Sequence, residues 1–232
     1  METPKYLSAD DWGAPITYTW EPDKQVLLAD KAPRNLQKSI AALSLRASMV
    51  VAIGCAEWVT ERLRGRSQDR SADWYIEAMW AATINSKYVR TYRASPPDDD
   101  GDPVTGPLAG IQYELDAAIS KCRTNHPERA NAVARVGTVA RYTLHETGHF
   151  DTWLRDVLLR FGTSFPYDAQ ALPGEFVPRK FLDPDVHIDT ASVPRLLDEQ
   201  LRDIDYKDNP FLKSPAELLA EGFEGEPYRF LR

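Results

Sequence analysis

Cysteine is scarce, with Cys55 and Cys122 the only two in 232 residues. Two thiols build no disulfide framework, and their spacing fits no thiolate metal knuckle. Histidine is nearly as rare, with four in the chain. Positive charge is in deficit: 28 Lys and Arg stand against 35 Asp and Glu, a net charge of −7. A general nucleic-acid binder needs a basic face to displace phosphate counterions, and adsorption to anionic lipid needs the same. Both classes are therefore excluded as expectations. Long apolar runs are missing too, because the stretch from Met49 to Ala56 is far too short to cross a bilayer. The opening residues, acidic and aromatic, do not resemble a secretory leader. There is no glycine loop of the kind that cradles phosphate. The expectation is a soluble, cytoplasmic globular protein.

What the chain does contain is helical periodicity. Residues 1–32 read as an extended aromatic arm carrying Trp12, Tyr18 and Trp20, with a short strand over Ile16–Trp20. The rest, 33–232, reads as one helical domain. Leu36, Ile40, Leu43, Ala47, Val50, Gly54, Trp58 and Leu63 recur at three- and four-residue steps, which predicts a single helix from Pro33 to Gly65. Around Met49–Ile53 it is apolar on every side, so it belongs at the centre of a bundle. A second helix from Ser71, fading by Arg93, completes a first helical pair over 33–94.

An acidic proline- and glycine-rich loop follows over 95–106, too charged to bury apolar area. Its Asp98-Asp99-Asp100-Gly101-Asp102 run lacks the alternation and closing glutamate of a calcium loop. Residues 107–162 then predict a second helical pair, from Pro107 to Cys122 and from Asn125 to Phe161. Asn125 and Glu128 have the spacing of a capping box. The long helix has roughly ten turns. Residues 163–192 are irregular and proline-rich. Short helices follow from Val193 to Asp205 and from Ser214, where Ser-Pro-Ala-Glu has the form of a second capping box. The expected fold is therefore an all-α, single-domain bundle of about five to six helices, with an extended N-terminal arm and a long irregular segment.

One motif carries chemistry. His145-Glu146-Thr147-Gly148-His149 resembles the H-E-x-x-H signature of the zinc metallopeptidases called zincins. On a helix, histidines four apart lie one above the other and reach a single zinc ion, while Glu146 takes a proton from metal-bound water. The resemblance implies His145 and His149 as ligands and Glu146 as the catalytic base. His187, flanked by Asp185 and Asp189, is the best third ligand, ahead of Asp168 and Glu175. The resemblance covers five residues. Asp151 stands where zincins carry an apolar residue, and Thr152 and Arg155 occupy the positions of an extended motif's glycine and third histidine.

Two functional expectations follow. The leading one is a helical protein–protein interaction module of the immunity, antitoxin or adaptor type. It would bind another, basic protein through acidic and aromatic surface and need no cofactor. The alternative is a zinc-dependent hydrolase built on residues 145–149.

Overall fold

The computed structural model describes residues 4–7, 12–21, 32–92, 94 and 101–230. Among them are eight α-helices: α1 (Arg34–Ala41), α2 (Leu45–Leu63), α3 (Ser71–Ile84), α4 (Thr105–Arg123), α5 (Arg129–Thr143), α6 (Gly148–Ser164), α7 (Val193–Arg202) and α8 (Pro215–Ala220). The fold is an all-α bundle. No helix among the described residues is long and apolar enough to cross a membrane.

The bundle is arranged around α2, as its all-round apolarity predicts. Every residue of α2 except Arg46 is buried, and the helix packs against α3, α4, α5, α6 and the 3-10 turn Arg179–Leu182. Gly54 leaves room for two of these neighbours. A Cβ there would stand 2.8 Å from Leu182 Cδ1 and 3.1 Å from the Trp153 indole of α6. Trp153 and Trp58 meet at 5.7 Å between ring centroids, which ties α6 to α2 through two large apolar surfaces.

Two of the six expected helices are each divided in two. The helix expected from Pro33 turns at 42–44. There Ser44 Oγ accepts from the Ala47 amide at 3.2 Å and caps α2. The turn is tied to the far end of α6, since Ser44 N donates to Phe165 O (2.9 Å) and Tyr167 N to Ala42 O (2.8 Å). The ten-turn helix expected from Asn125 breaks at 144–147 into α5 and α6. Thr143, Thr147 and Gly148 are poor helix formers, so interruption there costs little. The expected capping box at Asn125 does not form. Asn125 has φ 49° and instead closes α4, with its amide bonded to Cys122 O and the His126 amide to Lys121 O. The box at Ser214 and Glu217 is present in both directions.

The described parts of the arm depart from a wholly extended course: Lys5–Leu7 form a 3-10 turn, residues 12–14 turn, and 15–21 join no ladder, so the expected strand over Ile16–Trp20 is absent. Side chains hold the arm. Arg62 donates to Pro15 O (2.9 Å), Arg66 to Ala14 O (2.6 Å), and Tyr142 Oη to Thr19 O (2.5 Å). Trp12 lies against Trp58, and Trp20 is buried beside α4. The arm residues 1–3, 8–11 and 22–31, and residues 95–100 of the expected acidic loop, lie outside the described residues.

Candidate functional site

The break between α5 and α6 falls inside the H-E-x-x-H motif. Thr143 turns its hydroxyl back to Ala140 O (2.9 Å), and Leu144 is extended, with ψ 141°. His145 and Glu146 therefore precede α6, while His149 is its second residue; all three are exposed. The one-above-the-other stacking of histidines four apart exists only on a continuous helix, and here that helix is missing. His145 Nδ1 faces Thr17 Oγ1 of the arm at 3.4 Å. Asp151 bridges the break, pairing with Arg141 at 3.1 Å and accepting from Thr147 Oγ1 at 3.2 Å. His187 lies on the irregular segment, as do Asp168 and Glu175, all exposed. Among the described residues, no group of three or more His, Cys, Asp or Glu side chains could hold a metal ion.

Charged chemistry is gathered elsewhere, in a cleft of about 400 Å³ between α2 and α3. At its floor lies Glu57, which is 4% exposed. Its carboxylate accepts from the Trp80 indole N–H (2.8 Å) and the Tyr6 hydroxyl, and pairs with Arg179. One acid thus joins four segments: α2, α3, the 3-10 turn Lys5–Leu7 and the Arg179–Leu182 turn. One helical turn further along α2, Glu61 pairs with Arg64 at 2.6 Å. The facing wall carries Asp69, Asp73 and Glu77, each four residues after the last and so on one side of α3 and its lead-in. Asp69 Oδ1 accepts from the Ser71 amide (2.8 Å), and Glu77 Oε2 from Asn209 Nδ2 (3.0 Å).

Five carboxylates and three guanidinium groups, those of Arg64, Arg70 and Arg179, line this cleft. Two negative charges are left in excess. Burial pushes the Glu57, Glu61 and Asp73 carboxyls above the ordinary range, and the acids reinforce one another. Glu61 raises Glu57, Asp73 raises Glu61, and Asp69 raises Asp73, while Arg179 and Arg64 pull the other way. The aromatic walls face cations: Arg70 lies 5.3 Å from the Trp74 ring centroid, and Arg179 lies 5.7 Å from that of Trp80. Carboxylate, guanidinium and indole face in one cleft is a cation-holding arrangement. The cysteines take no part. Both are buried, and burial pushes the Cys122 thiol up to about 12.

None of the five acids is among the site residues expected from the sequence, although their spacing carries a signal. Glu57 and Glu61 stand four apart in a helix apolar all round, where a carboxylate must be buried with a partner. Asp69, Asp73 and Glu77 repeat the same spacing.

No protein-family model, curated protein or solved structure matches the chain.

Proposed function

We propose that the chain is a cytoplasmic binding protein whose acidic cleft receives a basic segment of another protein. The observation that carries this reading is the composition of the cleft between α2 and α3. Five carboxylates outnumber three guanidinium groups there, and each of its two tryptophans already faces an arginine. An arginine or lysine arriving from a partner would meet the contacts that Arg70 and Arg179 make within the chain. The excess negative charge favours encounter with a basic surface and raises the association rate at low ionic strength. An immunity, antitoxin or adaptor role would use such a surface.

Titration calorimetry with a hexa-arginine peptide tests this reading. Binding should weaken with salt. The double substitution Asp69→Asn with Asp73→Asn should weaken it by about tenfold, or about 1.4 kcal/mol. The control pair Glu224→Gln with Glu226→Gln removes as much charge from the exposed C-terminal turn and should change affinity little. Equal losses from the two pairs would mean that the peptide reports net charge alone, and would refute the assignment.

A further inference from the structure

A second cavity, of about 600 Å³, shares Pro4, Trp80 and Arg179 with the acidic cleft. It is bounded by the Arg179–Leu182 turn, α7 and Tyr6, and its character is different. Tyr6, Trp80, Phe181, Val186, Leu196 and Ile204 form apolar walls, and its volume is that of a small-molecule site. The sign of charge also reverses. Lys5, Arg179, Lys180 and Arg195 line it against Asp183, Glu199 and Asp203, in a chain where acids outnumber bases 35 to 28. Two ion pairs form within the lining, Lys180 with Asp183 (3.2 Å) and Arg195 with Glu199 (2.6 Å). His187 stands on the same lining.

Gln200 supplies the specific clue. Its Oε1 accepts from the Arg179 amide at 2.9 Å, which fixes which end of the side chain is oxygen. Nε2 is thereby a donor, and it is buried without a hydrogen-bond partner among the described residues. A buried amide N–H is rarely left unmet in a native fold. Gln200 is itself one of the residues that line the cavity.

We propose that this cavity binds a small amphipathic carboxylate. The apolar body packs on Phe181, Leu196 and Ile204, and a carboxylate oxygen takes the Gln200 Nε2 proton, with Lys5 supplying the opposite charge at the rim. The proposal is independent of the acidic cleft, because it concerns another cavity and a ligand of the opposite charge.

The test is fluorescence titration of the full chain with 1-anilinonaphthalene-8-sulfonate, followed by displacement. One dye per chain should bind saturably. Decanoate should displace it, and decyltrimethylammonium, with the same tail and the opposite charge, at least tenfold less effectively. Leu196→Trp fills the cavity and should abolish dye binding. Gln200→Glu keeps the acceptor for the Arg179 amide but replaces the donor with an anionic oxygen. It should weaken decanoate at least tenfold with the circular dichroism spectrum unchanged, a reading that stands even if Leu196→Trp fails to fold. Absence of saturable binding, equal displacement by the two amphiphiles, or undiminished decanoate binding by Gln200→Glu would overturn the proposal.

Discussion

Gly106 of α4 sits against the Trp20 indole, so close that a Cβ at this position would stand within 2.5 Å of both Cδ1 and Nε1 of the ring. The arm is therefore seated on a site where the helix has no side chain. Gly106→Ala should expel Trp20 or displace α4, at a cost of about 1–3 kcal/mol, the usual range for overpacking. Urea unfolding should report the loss, and the Trp20 emission should shift toward that of a water-exposed indole. An unchanged midpoint would show that the arm does not depend on this contact.

Glu61 gives a stability dependence of definite sign. Burial raises its carboxyl above the unfolded value of about 4.3, so the folded state holds this proton more tightly than the unfolded one. Its unfavourable contribution is absent below the unfolded value and grows as pH rises through the shifted range. Glu61→Gln removes that contribution. The variant should gain stability relative to the natural chain between about pH 4 and neutrality, measured by urea unfolding at both ends. A difference that stays constant with pH would contradict the burial argument.

Glu217 works in the opposite direction. Arg90 grips it with two bonds, of 2.6 and 2.8 Å, and the Ser214 amide and hydroxyl add two more, each 2.8 Å, holding its carboxyl down to about 2. Stability from this group is present above the ordinary carboxylate value and lost as pH falls toward 2. Glu217→Gln should blunt that acid limb. Ser214→Ala removes the cap of α8 and should cost about 0.5–2 kcal/mol. Hydrogen exchange of the α8 amides should quicken in both variants, and unaltered exchange would show that the box does not hold the helix.

The interrupted motif at 145–149 leads to a prediction for metal content. With His145 and Glu146 ahead of α6 and His149 within it, the paired imidazoles lack the helical register on which an H-E-x-x-H zinc site is built. Elemental analysis of untagged protein should find zinc far below one atom per chain, and Glu146→Gln should leave that value unchanged. Stoichiometric zinc lost on His149→Ala would contradict the broken register.

Much of the architecture was legible because burial leaves a pattern. The central place of α2 followed from apolar residues on every side of Met49–Ile53, and the α8 box followed from Ser214, Pro215 and Glu217. The two helix breaks were not legible. Leu43 and Leu144 are buried at the interruptions, so the apolar period runs on as if the helix did. Asn125 misled for another physical reason: asparagine suits both an N-cap and the left-handed residue that ends a helix, and here it ends α4. The acidic cleft was hidden because its two walls, Glu57–Glu61 and Asp69–Glu77, lie on separate helices, and only the turn at 64–70 brings them face to face.

The central claim is that basic groups are held between α2 and α3. Six tryptophans give six indole N–H signals by nuclear magnetic resonance. Titration with the hexa-arginine peptide should move those of Trp74 and Trp80 and leave those of Trp20 and Trp153 in place. Shifts confined to the acidic C-terminal turn at 221–226, with Trp74 and Trp80 unmoved, would contradict it.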